Sequence, residues 1–212
     1  MEVINKNEKV PYRQLDKDLL RIILVVLVVI GHGTYYDIIT KFGGINYGIL
    51  MSDASISDTM FHKITSIITS FIYTFHMPVF IALSGSLFSL KKNINIKKNI
   101  EKKAKRLLIP FIVVWLFWNL PVKYFSGYYH GVSIRGMLLQ LIFPSCVYLW
   151  YLECLFFVFV IASFVCKLET KKQIVIVGFC WCIGVILYKG LGQYHVLGDP
   201  LYYLLWFYLG YR

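Results

Sequence analysis

Six long apolar runs, separated by polar segments, organise this sequence. They fall at roughly Leu19–Ile39, Ile67–Leu90, Leu107–Phe125, Val147–Cys166, Gln173–Tyr188 and Leu197–Tyr211. A helix that crosses a bilayer needs about 20 mostly apolar residues, so each run predicts a membrane span. The stretch Ile134–Phe143 is apolar but too short to cross, and predicts an interfacial or re-entrant piece. The first run follows basic residues, as the apolar region of a secretory leader does. No small-residue cleavage site comes after it and more runs follow, which predicts an uncleaved first helix. No internal repeat is present. The pattern predicts an all-α, polytopic transmembrane helix bundle of about six spans, formed by residues 1–212 as a single membrane domain.

Composition agrees with the pattern. Apolar residues make up 58% of the chain and charged residues 16%. Mean hydropathy is +0.64. These values exclude an ordinary soluble domain, a disordered chain and a small disulfide scaffold. The formal charge of +11 would suggest nucleic acid in a soluble protein. Here the cations flank apolar runs and no groove-reading motif accompanies them, so no nucleic-acid partner is expected. Lys6, Lys9, Arg13, Lys17 and Arg21 precede or open the first run, and eight more lie between Lys91 and Arg106. With the N-terminus in the cytoplasm, 17 Lys and Arg fall on that side and five on the other. Cytoplasmic loops are the ones enriched in such cations, so the N-terminus is predicted inside and the chain in the cell membrane, in contact with lipid. Outer loops then cover about 40–65 and 124–146. The cysteines Cys146, Cys154, Cys166, Cys180 and Cys182 are odd in number and lack metal-ligand spacing. They read as small buried hydrophobes, and no metal is expected.

Ionisable side chains are costly inside a bilayer, so those retained there are candidates for function. Arg21 and His32 are eleven residues apart, which puts them about 20° from alignment on one helix face and roughly 16 Å apart along it. Arg21 sits at the cytoplasmic end, and reads either as a snorkelling cation or as a ligand for an anion. His32 lies in the outer half between Gly31 and Gly33, and reads either as an interhelical hydrogen-bond donor or as a base. His76 lies in the outer half of the second run, just before Met77–Pro78, where the proline suggests a kink. Ser84–Gly85–Ser86 forms a small-residue patch suited to close helix packing. Glu153 is expected near the outer end of the fourth run, as a charge partner for a histidine or as an interfacial carboxylate. The basic block 91–106 reads as a solvated loop attracted to anionic lipid. Its alternative role is that Lys105 and Arg106 join Arg21 in holding an anionic cytoplasmic ligand, since the guanidinium fork binds two phosphate oxygens at once.

Four segments in series resemble a known family. Asp18–Arg21 followed by VVLVVIGH, ending in His32, resembles the first-helix signature of the acyltransferase-3 family of integral membrane O-acyltransferases. YTFHMPVFIALSGSLF, Tyr73–Phe88, is similar to the family's second helix, and its FHMP and SG elements are most like the fucose 4-O-acetylase-like subgroup. Lys105–Pro110 resembles the basic start of the third helix, and Leu149–Leu152 an LWFL element of a later one. The resemblance implies an acyl-CoA-dependent O-acyltransferase. It would move an acetyl or other acyl group from cytoplasmic acetyl-CoA (acyl-CoA) to a hydroxyl of a saccharide or cell-envelope acceptor. It implies that His32 is the catalytic base, that Arg21 faces CoA, and that Arg106 matches the third-helix arginine. His76 and Glu153 are further catalytic candidates, and Lys105 a further donor-side one. Family members have about ten spans, so the chain reads as the N-terminal part of a longer domain. A small polytopic transporter and an inactive truncated membrane remnant are the alternatives.

Overall fold

A computed structural model of the chain describes residues 15–33, 60–90, 95–125, 127, 149–190 and 195–212. Among them there are six helices and no strand. We label them α1 (Leu15–Gly33), α2 (Met60–Ser89), α3 (Ile96–Phe125), α4 (Trp150–Val165), α5 (Thr170–Gly190) and α6 (His195–Tyr211). Each takes one of the six apolar runs, and together they form a helical membrane bundle. The stretches Ile67–Ser89, Ile96–Phe125 and Thr170–Leu187 are long and apolar enough to cross a membrane, while α4 is a shorter apolar helix. The interfacial piece at Ile134–Phe143 and most of both expected outer loops lie outside the described residues.

The basic block differs from expectation. From Ile96 onward it is helix rather than loop, so α3 starts well before the apolar run at Leu107. Local chemistry explains the start. The Asn95 side chain accepts a hydrogen bond from the Lys98 backbone N–H at 3.2 Å, a helix N-cap. Lysine and glutamate are good helix formers. Tertiary contacts then hold the segment down. Buried Asn99 donates to Ser163 Oγ at 3.1 Å, and Lys103 Nζ sits 3.4 Å from the centre of the Phe159 ring. Two wide turns follow within α3, at Ala104–Leu108 and Trp115–Asn119. In each, a backbone N–H reaches five residues back, from Ile109 to Ala104 and from Leu120 to Trp115. A proline comes next in both cases, Pro110 and Pro121. Proline lacks an N–H and its ring crowds the carbonyl four residues earlier; a π turn relieves that crowding without breaking the helix. α2 likewise stays helical through Pro78.

Ring contacts and hydrogen bonds fix the helix directions. α1 and α2 run antiparallel, because Lys17 Nζ donates to the Ser86 carbonyl at 3.4 Å at one end while Gly31 abuts Tyr73 at the other. α2 and α4 run parallel, with Phe80 beside Tyr151 at 5.9 Å and Phe88 beside Phe159 at 5.8 Å. α3 opposes α4 through the Asn99 and Lys103 contacts. α6 parallels α4, through Trp150–Tyr203 at 5.6 Å and Phe159–Phe207 at 5.2 Å. α5 opposes α6: Tyr208 donates to Gln173 Oε1 at 3.1 Å near one end, and Gly184 meets Tyr202 further along. Odd helices therefore run one way and even helices the other, as successive crossings of one membrane require.

The core lies where α2, α4 and α6 meet, around Ile81, Phe88, Val158, Phe159, Leu204 and Phe207. Two glycines let α2 and α6 touch backbone to backbone. A Cβ on Gly85 would run into the Phe207 carbonyl, and one on Gly210 into the Ala82 backbone. The small-residue patch therefore packs helices, as its composition predicts. Gly178 on α5 has open space instead. Gly85→Ala and Gly210→Ala should each cost about 1–3 kcal/mol or more through overpacking, read as a lower unfolding temperature in detergent. Gly178→Ala should stay within about 0.5 kcal/mol of the parent. Equal losses at all three positions would contradict the close approach.

Candidate active site

α1 meets α2 along a stripe that includes Lys17, Leu24 and Gly31, seven residues apart and hence on one face. Arg21 and His32 occupy positions on the same flank of that stripe. His32 belongs to the last turn of α1, and the contacts of its side chain lie outside the described residues. Its neighbour Gly31 packs against α2 so closely that a Cβ there would lie 3.1 Å from the Tyr73 ring. That ring in turn stands edge-on to His76, with centroids 4.9 Å apart. Tyr73 thus joins the turn that carries His32 to the imidazole of His76. From the antiparallel register, His32 lies about 6 Å further than His76 toward the N-terminal end of α2.

His76 is 4% exposed. Its Nδ1 lies 2.8 Å from the Ile72 carbonyl. A carbonyl can only accept, so Nδ1 donates, and in the neutral ring the basic nitrogen is Nε2. The backbone bond therefore sets the tautomer of this residue.

Glu153 lies elsewhere. It stands in the first turn of α4, half-buried. The Phe80–Tyr151 pairing puts Glu153 level with about residue 82 of α2, roughly 9 Å from His76 toward the C-terminal end of that helix. The Lys17–Ser86 contact puts Arg21 at the same depth. Glu153 stays at the start of its helix, as expected, but α4 begins part-way along the bundle, beside Phe80, so this end lies at a different depth from the histidines. Next to Glu153, Tyr151 lies close to Ser84 and within the electrostatic reach of Arg21. Glu153 also lies within electrostatic reach of Asp199, which is 5% exposed on α6. Asp199 was not singled out from the sequence. A carboxylate just before Pro200 inside an apolar run is the signal that could have found it.

The three cations share a depth band. α3 opposes α4 through Asn99 and Lys103, which puts Lys105 and Arg106 within roughly 6 Å of the depth of Arg21. They stand on different helices. Arg21 makes one long ion pair with Asp18 at 3.7 Å, and Lys105 pairs with Glu101 at 2.8 Å. Both pairs are solvent-facing and local, and such pairs contribute little to stability. The candidate residues therefore form two levels: imidazoles toward the C-terminal end of α1, and Arg21, Tyr151, Glu153, Lys105 and Arg106 toward its N-terminal end.

This two-level arrangement predicts a cross-link. With the native cysteines replaced, Ser84→Cys and Tyr151→Cys should be joined efficiently by a short bifunctional maleimide. His76→Cys with Glu153→Cys should not. Gel mobility reads both, and the reverse outcome would overturn the register of α4.

An acyltransferase-domain family model, that of the acyltransferase-3 family, matches residues 15–211. Comparisons with curated proteins and with solved structures give no match. The match spans all six helices and both levels of candidate residues, and the chain belongs to the acyltransferase-3 family of membrane acyltransferases.

Proposed function

We propose that this chain is a multi-pass protein of the cell membrane, with its N-terminus in the cytoplasm, and that it transfers an acetyl or other acyl group from acyl-CoA to a hydroxyl. The acceptor is a saccharide or another cell-envelope molecule, as in the fucose 4-O-acetylase-like subgroup that the second helix resembles. The observation that carries this reading is the single flank of α1 that bears both Arg21 and His32, packed on α2 next to His76.

In this reading Arg21, Lys105 and Arg106 hold the phosphates of acyl-CoA near the inner side. The pantetheine arm extends outward between helices and brings the thioester toward the histidines. A hydroxyl is a poor nucleophile until a base of near-neutral pKa takes its proton. His32 removes that proton as the oxygen attacks the thioester carbonyl. The carbonyl re-forms as the C–S bond breaks. The proton passes from the imidazole to the departing thiolate, leaving an ester and CoA. His76, with its basic nitrogen set by the Ile72 carbonyl, lies one turn inward and orients the acceptor or assists the base.

His32→Ala should lower transfer by about 10²–10⁴-fold while leaving CoA binding nearly intact. Near-normal turnover in His32→Asn or His32→Gln, which keep an interhelical hydrogen bond, would leave this residue without a role as base. Arg21→Ala and Arg106→Ala should each weaken CoA binding by roughly 1.5–3 kcal/mol, measured by calorimetry in detergent. Arg21→Lys should restore only part of it, because an ammonium lacks the planar fork. Unchanged CoA affinity in both alanine variants would reject the donor-side assignment. For orientation, a cysteine placed in segment 91–106 should be labelled only from the cytoplasm, and one replacing Ser55 only from outside.

A further inference from the structure

A groove of about 740 Å³ runs between the start of α3 and the end of α4, lined by Ile96, Lys97, Ile100, Glu101 and Phe164. Its floor is apolar, and Phe164 is more than half exposed within it. The groove is open along its length and belongs to the part of α3 that sequence reading left as loop. It exists because Asn99 and Lys103 clamp that segment onto α4, leaving Ile96 and Ile100 beside Phe164.

The rim has the opposite character. Lys97 lines it and Lys98 stands beside Glu101 at its edge; both are exposed and form no salt bridge among the described residues. Glu101, the one carboxylate of the lining, is engaged by Lys105. Lys167, three residues past Phe164, stands on the turn from α4 to α5, which the register of α3 against α4 places beside Ile96. An apolar trough with a cationic rim at one end of a membrane bundle matches a molecule with a hydrocarbon chain and an anionic head.

We propose that this groove seats one anionic phospholipid from the leaflet that meets the start of α3, with an acyl chain along Ile96, Ile100 and Phe164 and the phosphate among Lys97, Lys98 and Lys167. The lipid would fix the basic start of α3 against α4, and so hold Lys105 and Arg106 at their depth. The proposal rests on the bundle lying in a membrane, and it is independent of the transfer chemistry.

The test is photo-crosslinking in phosphatidylcholine nanodiscs that hold the full chain. The probe is a small fraction of phosphatidylglycerol with a diazirine on one acyl chain, and the control is phosphatidylcholine with the same chain. Adducts should map to the peptides that carry Ile96–Glu101 and Phe164. The anionic probe should label them at least about fivefold more than the control, the preference expected from one well-placed lysine. The triple variant Lys97→Gln, Lys98→Gln, Lys167→Gln should bring the two probes close to equal, with helix content by circular dichroism unchanged. Equal labelling by both probes in the parent, or a preference that survives the triple variant, would overturn the proposal. Displacement of the anionic probe by stoichiometric palmitoyl-CoA would assign the groove to acyl-CoA and overturn it as well. Because the readout is labelling, it stands or falls separately from loss of acyl transfer.

Discussion

Close approach of α2 and α6 through glycine is the contact on which the rest of this bundle depends. In lipid, apolar side chains gain little by leaving an equally apolar solvent, so helices associate through packing and interhelical hydrogen bonds. Gly85 against Phe207, and Gly210 against Ala82, bring two backbones into direct contact. That contact aligns Phe88 with Phe159 and Phe207, and the three rings seat α4 between α2 and α6. α5 then joins through Gly184 and the buried Gln173, which accepts from Tyr208 and donates to the Leu168 carbonyl at 2.7 Å. α3 joins through Asn99 and Ser163. Asn99 with Ser163 and Gln173 with Tyr208 are thus paired across helices, where unpaired they would be costly.

The positions of the candidate residues follow from that frame. α1 touches mainly α2, so its depth is set by Lys17 at one end and Gly31 at the other. Arg21 falls level with Glu153 and Tyr151, and His32 falls about 6 Å beyond His76. The frame keeps the guanidinium and the imidazole of one helix at separate depths. For the transfer proposed above, such a separation suits a donor whose phosphates stay near one surface while its thioester reaches inward.

Much of the fold was legible because apolar runs report lipid contact directly. All six runs became helices, and the small-residue patch at Ser84–Ser86 packs as its composition predicts. What escaped was set by tertiary contact. The Asn95 cap and the helix-forming lysines favour a helix from Ile96 only weakly; Ser163 and Phe159, some 60 residues away, supply the partners that hold it. The π turns before Pro110 and Pro121 could have been anticipated from the prolines, although their exact form depends on neighbouring helices. For the site, the shared flank of Arg21 and His32 is simple periodicity and reads off one helix. The depth of Glu153 does not, because it depends on where α4 starts relative to α2. Asp199 carried a signal in its Asp-Pro pair, and its closeness to Glu153 needed the pairing of α4 with α6.

The central claim is that acyl-CoA is used from the side where Arg21, Lys105 and Arg106 lie, and that the acyl group leaves toward the histidines. Sealed membrane vesicles of known orientation that carry the chain, given acetyl-CoA labelled in the acetyl group on one face at a time, test it most directly. The account predicts label in hydroxyl esters only when acetyl-CoA reaches the face that bears the N-terminus. Incorporation only from the opposite face, or equal incorporation from both in vesicles shown to be sealed, would contradict it.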